Sequence, residues 1–404
     1  MTSALLKPSM LITPAGRTQR FTESTIREMS RLAAQYQATN LAQGMPNFPC
    51  LDVLKQAAAD AINADINQYS FTWGDARLRE AIAAKVATYN GLTYNPETEI
   101  TVTCGAAEGL AGSLLAFVEP GDEVIILEPF YENYLPNVVL AGGIPKTVAL
   151  EAPTPENPTW HLNEATLREA FNDKTKVILL NSPHNPTGKV FTLAEMTLIA
   201  ELCQRYNVLC ISDEIYEHMV YDGERHVCMA SLPGMRERTI TLNSLSKTYS
   251  ITGWRVGWML AAPALTHALR KVHDFMTTCA PAPLQRAGVT ALGFEQHYYD
   301  TLLAGYEERR QAIITMLDDL GIEFAQPQGA YYLLADVTDV CERQHLPNDR
   351  AFAEWLCKEH QVAVVPGSGF FHTTQPKRYY VRVCYSKTLE TLTDAGKKLA
   401  ALKA

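Results

Sequence analysis

The sequence predicts an α/β protein: a mainly parallel sheet covered by helices on both faces, with a smaller α+β unit drawn from both ends of the chain. From about residue 95 to 265, the short β-branched runs ITVTC, EVIILEP, KVILLNSP, VLCISDE and TITLNS alternate with helical patterns, as strands buried between two helical layers do. From about residue 322, YYLLADV, QVAVVPG and YYVRVCYS surround the helical stretch NDRAFAEWLCKEH, which suits a small α+β unit. Length agrees, since at roughly 150 residues per domain a chain of 404 residues makes two to three domains, or one large α/β core with an appendage.

Between these regions, ALTHALRKVHDFM and YYDTLLAGYEERRQAIITMLDDLG read as long helical stretches, a bridge closed by Gly321 in a helix-stop position. The segment from 20 to 48 is expected to join the smaller unit or cross its surface. The expected division is therefore 1–48 with the small unit, 49–290 as the large domain and 291–404 as the small C-terminal domain.

Composition excludes several classes. With 47% hydrophobic and 20% charged residues the chain is an ordinary globule. A net charge of −9 repels phosphate backbones, and without a local basic patch no nucleic-acid partner is expected. The nine cysteines are odd in number, scattered and free of C-x-x-C pairs, so reduced thiols are expected rather than zinc or dithiol chemistry. Prolines interrupt the only apolar run at the N-terminus, and no stretch reaches the ~18 uninterrupted apolar residues of a membrane helix. A cytoplasmic protein with no membrane partner is the expectation. H-E-x-x-H, G-x-S-x-G and G-x-x-x-x-G-K-[ST] are absent, so metal, serine-hydrolase and nucleotide readings lack support. His218 and His226, beside a Tyr-rich turn, are given no role.

Ligands of open α/β sheets sit beyond the carboxyl ends of the strands, and there the polar residues cluster. In TITLNSLSKTYSITGWRVGW a lysine, Lys247, ends a strand among small hydroxyl residues, with Arg255 eight positions later. A desolvated lysine has a lowered pKa and is a competent amine nucleophile. A solvated loop lysine is the other reading of this segment taken alone.

The segments LAQGMPNF, NQYSFTWGDARLREAIA, VTCGAAEGL, EPFYENY, NSPHNPTGKV, SDEIYEHMVYDG, NSLSKTYSITGWRVGW and YYVRVCYS, in this order and spacing, resemble the class I/II aminotransferases of the fold-type-I pyridoxal-phosphate enzymes. The branch that includes kynurenine and glutamine transaminases looks closest. The resemblance implies a sheet of the seven-stranded type, pyridoxal 5'-phosphate as cofactor, and a homodimer with shared active sites.

It also implies roles. Lys247 would form the Schiff base with the cofactor aldehyde and then shuttle the substrate proton. Asp213 would face the pyridine nitrogen, keeping the ring an electron sink; alone it reads equally as a helix cap. Tyr216 and Asn185 would donate to the ring oxygen, although Asn185-Pro186-Thr187-Gly188 also reads as a plain turn. Tyr131 would stack on the ring, or be cleft wall. Gly105, Ala106 and Ala107, between a strand and a helix, would offer backbone N–H groups to the phosphate. Many relatives have a hydroxyl residue there, and these alanines do not. Ser244, Ser246 and Arg255 would complete the phosphate site, with Tyr69 reaching the neighbouring subunit's cofactor or else remaining a core tyrosine. Arg382, which alone reads as a solvated strand residue, would clamp the substrate α-carboxylate with Asn185 and the Gly44 backbone.

The reaction expected is transfer of an amino group between an L-amino acid and a 2-oxo acid. A dicarboxylate substrate would want a second arginine near the bridging helix, where KVHDFMTTCAPAPLQ offers only Lys271, which favours neutral or aromatic substrates. A lyase, γ-replacement enzyme, oxidase or cyclase on the same scaffold is the alternative.

Overall fold

The computed structural model describes residues 13–154, 156–373 and 376–403. In chain order the strands are β1 (Thr39–Asn40), β2 (Ile100–Thr103), β3 (Glu123–Glu128), β4 (Ile144–Glu151), β5 (His161–Leu162), β6 (Thr175–Asn181), β7 (Leu209–Asp213), β8 (Thr239–Ser244), β9 (Gly257–Leu260), β10 (Tyr332–Asp336), β11 (Val362–Ala363), β12 (Val365–Pro366) and β13 (Tyr380–Cys384). The large sheet runs β2-β9-β8-β7-β6-β3-β4-β5. Strands β4, β3, β6, β7 and β8 are parallel in succession, while β9 opposes both its neighbours and β5 opposes β4. The expected seven strands are thus joined by a two-residue edge piece. β4, with its half-exposed alternation, lacks the continuous apolar run that marks the central strands, and β9 is a run of only four residues.

Those central strands are apolar because both their faces are covered. Alternate residues divide between two cores: Val124, Ile126, Val177, Leu179, Ile211, Ile240 and Leu242 pack with Leu110, Leu114 and Leu269 from helices Ala106–Phe117 and Pro263–Thr277. Their sequence neighbours Ile125, Leu127, Ile178, Leu180 and Cys210 point the other way, towards Met196, Ile199 and Leu202 of helix Leu193–Arg205. Layering of this kind concentrates the charged and amide residues at the strand ends.

The second sheet, β10-β13-β12, is antiparallel, and β1 from the N-terminal segment pairs in parallel with β11. Helix Thr25–Gln35 contributes Met29 and Ala33 to the same core as Phe352 and Leu356 of helix Asp349–Glu359. The bridging region is three helices, Pro263–Thr277, Ala282–Leu292 and Gln296–Leu320. Thr278 at φ 66° stops the first, and Gly321 at φ 65° closes the last. No helix among the described residues is long and apolar enough to cross a membrane.

Behind the ends of β7 and β8 lies a buried ionic cluster. Glu217 accepts from Lys85 and Asn243, and from Asn90 at 3.1 Å, while its carbonyl accepts from the Tyr89 hydroxyl at 2.7 Å. Glu214 accepts from Ser212 Oγ at 2.8 Å and the Met229 N–H at 3.1 Å, and meets His226 Nε2 at 2.9 Å. His218 stacks on Tyr299 at 4.5 Å. Both histidines left without a role therefore pack this cluster. Possible ligand atoms of Glu214, Glu217 and His226 lie within 4.8 Å of one another, but the Lys85 ammonium already balances Glu217. Burial would raise the Glu217 carboxyl, and Lys85 more than offsets it, bringing it to about 2.

Removing one partner of a buried pair leaves an uncompensated charge. Lys85→Met is expected to cost ~3–5 kcal/mol, read as a lower denaturant midpoint, with Lys85→Met/Glu217→Leu recovering much of the loss. An unchanged midpoint in the single variant would show that Glu217 does not depend on Lys85.

Candidate active site

Because β6, β7 and β8 are parallel neighbours, their last residues, Asn181, Asp213 and Ser244, end on one edge of the sheet. A cavity of about 290 Å³ opens there, and Gly44, Ala106, Ala107, Tyr131, Asn185, Asp213, Tyr216, Ser246, Lys247, Arg255 and Arg382 all line it. Three of the expected residues stand apart. Ser244 is buried and accepts from the Ser246 N–H at 3.1 Å, capping the turn Leu245–Thr248 that carries Lys247. Gly105 lies beneath Arg255. Tyr69 is 83% exposed and outside the cavity of its own chain.

Lys247 Nζ donates to the Gly44 carbonyl at 2.9 Å. Burial, helped by the charges of Arg382 and Arg255 and opposed by Cys384 and Asp213, lowers its pKa from 10.5 to about 8. Asp213 is pushed the other way. Burial raises it to about 6, against the Tyr134 hydroxyl at 2.8 Å, the Ile215 N–H at 3.4 Å and the Lys247 charge. A carboxylate so poorly solvated gains from a cation beside it. Tyr134 ends the EPFYENY segment, but sequence reasoning gave it no task, since a hydroxyl's partner lies in the fold.

Tyr216 donates to the Tyr332 hydroxyl at 3.2 Å, a second contact the sequence did not reveal. Asn185 accepts at Oδ1 from Arg382 Nη1 at 3.1 Å, and its N–H donates to Asn181 Oδ1 at 2.8 Å. Its oxygen being taken, the amide NH₂ is the end left as a donor. Arg382 is fully buried in β13, with Nη2 donating to the Ala42 carbonyl at 2.7 Å. The Gly44 carbonyl accepts from Lys247 and, at 3.1 Å, from the Tyr331 hydroxyl. The Arg382 guanidinium lies 4.4 Å over the Tyr332 ring and 5.1 Å over that of Phe370, and its Nε has no partner.

The floor below Arg255 has the features of an anion cradle. Helix Ala106–Phe117 begins at Gly105, at φ 80°, and the Ala106 and Ala107 N–H groups have no partner among the described residues. Free first-turn N–H groups and the helix dipole favour an anion. Arg255 Nη1 donates to the Thr252 carbonyl at 3.0 Å and Nη2 to that of Cys104 at 3.3 Å, leaving the guanidinium edge exposed. Ser246 Oγ is buried without a partner. No side chain fits at two points: a Cβ on Gly105 would lie 2.3 Å from Arg255 Nη2, and one on Gly257 2.7 Å from the Ala106 nitrogen. Two backbone donors, an orphaned hydroxyl and a cation at one end, with a buried carboxylate and an amine at the other, fit a phosphorylated pyridine aldehyde.

Comparison with known proteins agrees. The family profile for aminotransferase class I and II matches residues 36–399. Human kynurenine–oxoglutarate transaminase 1 is 35% identical over 400 residues, covering 93% of this chain and 95% of the human one. Among solved structures, N-succinyldiaminopimelate aminotransferase from Mycobacterium tuberculosis aligns with a TM-score of 0.92 at 35% identity, over 96% of this chain and all of that one. An Escherichia coli protein described with a methionine aminotransferase function aligns at 0.90 and 32% identity, over 96% of this chain.

The chain belongs to the class I and II aminotransferases. It is a transaminase of fold type I, its cofactor is pyridoxal phosphate, and relatives named kynurenine–oxoglutarate transaminase share its branch.

Only the neutral form of Lys247 is nucleophilic. Capture of pyridoxal phosphate at Lys247 by cofactor-free protein should therefore rise with pH through about 8, where the amine loses its proton. Borohydride trapping at a series of pH values, followed by peptide mass spectrometry, measures this. A midpoint near the ordinary 10.5 would show that the amine is not desolvated.

Proposed function

We propose that the residues gathered at the strand ends carry this transamination in the roles their contacts suit, and that the donor is an L-amino acid with a neutral or aromatic side chain. Pyridoxal phosphate supplies an aldehyde that takes up an amino group and a ring that withdraws electrons from the carbon bearing it. Lys247, desolvated yet basic, would hold that aldehyde and would move the proton at the substrate α-carbon. Asp213 would hold a proton at the ring nitrogen, and Tyr134 keeps the carboxyl from drifting higher. Asn185 would donate to the ring oxygen, as would Tyr216 in place of its donation to Tyr332, and Tyr131 would pack against the ring. The N–H groups of Ala106 and Ala107, with Ser246 and Arg255, would hold the phosphate. Ser244 shapes the turn that presents Ser246 and Lys247, and Gly105 and Gly257 keep the cradle clear.

The observation that carries this assignment is Arg382: a fully buried guanidinium with an unpartnered Nε, facing the same cavity as the Lys247 amine. A carboxylate is the group a buried, under-satisfied guanidinium recognises best. The walls around it, Tyr131, Tyr332, Ile26 and Met45, suit a neutral or aromatic side chain.

The active form is proposed to be a homodimer. Tyr69 at 83%, Phe71 at 59% and Phe275 at 92% exposure leave apolar surface uncovered in one chain, and Tyr69 would serve the neighbouring subunit's phosphate. The nine cysteines are all free, which supports a reducing, cytoplasmic location.

An amino-donor panel, read by the visible spectrum of the holoenzyme with and without a 2-oxo acid acceptor, tests substrate and reaction together; product formation without any acceptor would favour a lyase. Arg382→Ala should weaken amino-acid binding by ~2–5 kcal/mol while the cofactor stays bound. Unaltered saturation across several amino acids would remove Arg382 from the substrate site.

A further inference from the structure

The cavity has a charged mouth that the reaction itself does not use. Of the charged side chains lining it, Asp213, Lys247, Arg255 and Arg382 are accounted for above, which leaves Arg27 and Glu132. Glu132 is turned to the start of helix Thr25–Gln35, accepting from Ser24 Oγ and, at 3.4 Å, from the Ile26 N–H.

Arg27, in the first turn of that helix, is exposed, and its guanidinium has neither a hydrogen bond nor an ion pair among the described residues. The acids nearest it in sequence are engaged elsewhere: Glu23 with Arg31 at 2.6 Å and Glu28 with Arg350 at 2.9 Å. Tyr131 lies within the fields of both Arg382 and Arg27, which oppose the rise that burial imposes on its hydroxyl. Lys271, the cation near the bridging helix, lines a different cavity with Trp73, His267 and Arg270. Hence, besides Arg255 in the anion cradle, two guanidiniums line the cavity, Arg382 in its buried wall and Arg27 at its rim.

We infer that Arg27 is a specificity-determining residue, which receives a second, distal carboxylate on substrates whose α-carboxylate is held by Arg382. The inference rests on the placement of the α-carboxylate at Arg382 proposed above. It adds a discrimination that the aromatic walls cannot make. Both half-reactions use one cavity, so a neutral or aromatic donor can lie along Tyr131 and Tyr332 while an acidic oxo acid takes the guanidinium at the mouth. Arg27 is solvated, so its preference is modest: an exposed ion pair is worth roughly a fivefold difference in affinity.

The test is equilibrium binding of two unreactive acids of equal length, glutarate with two carboxylates and valerate with one, to the holoenzyme by calorimetry. Wild type should bind glutarate roughly fivefold more tightly than valerate, Arg27→Met should abolish that ratio, and Arg27→Lys should retain part of it. The same ratio in Arg27→Met as in wild type would overturn the inference while leaving Arg382 in place. Failure of wild type to bind either acid, or binding that Arg382→Ala does not weaken, would overturn the underlying site assignment as well. Parallel kcat/KM measurements with a dicarboxylic and a monocarboxylic 2-oxo acid of equal length as acceptors should show the same loss of preference in Arg27→Met.

Discussion

Taking the Lys247 amine and the Asp213 carboxyl out of water at the ends of adjacent strands is the constraint on which the site depends. Burial moves the two pKa values towards each other, to about 8 and about 6, so an ordinary lysine becomes a nucleophile and an ordinary aspartate becomes a carboxylate in want of a cation. Neither shift would exist on a solvated loop. The parallel sheet supplies the low-dielectric setting, because its central strands are covered on both faces and gather their charged residues where they end. The second cluster, around Glu217 and Lys85, fixes the segment carrying Asp213 and Tyr216 from behind, with Tyr89 holding the Glu217 carbonyl itself.

At the opposite end of the cavity, the anion cradle depends on absences. Gly105 and Gly257 allow Arg255 and the start of helix Ala106–Phe117 to approach closer than any side chain permits. Ala106 and Ala107, which have no hydroxyl, put the burden on backbone N–H groups, with Ser246 the nearby hydroxyl still without a partner.

Much of this was legible in the chain. Lys247, Asp213, Tyr216, Asn185, Arg255 and Arg382 were readable through the resemblance, because the segments that carry them occur together in family order; alone, most of these positions also fit a plain turn, cap or solvated residue, and all six line one cavity. The central strands were readable as continuous apolar runs. Strands β4 and β9 were not, one being half-exposed and the other four residues long after a turn. The helix Ala282–Leu292 was hidden by the prolines that start it. Tyr134, Tyr332 and Arg27 carry no local mark at all. Their importance comes from what the fold brings opposite them, and Arg27 in particular lies on an amphipathic helix indistinguishable in sequence from any other.

The chain between β1 and the first long helix of the large unit crosses the cavity as a strap, and four successive carbonyls fasten it. Ala42 is held by Arg382, Gln43 and Met45 by Lys387 at 3.0 and 2.8 Å, and Gly44 by Lys247 together with Tyr331. Two of these fasteners are the cations proposed to meet the reactants. In those roles tether and chemistry would compete for the same donors: whenever Lys247 or Arg382 turned to a reactant, the strap would rest more heavily on Lys387 and Tyr331, and the state of the reaction would be written into the backbone that roofs it.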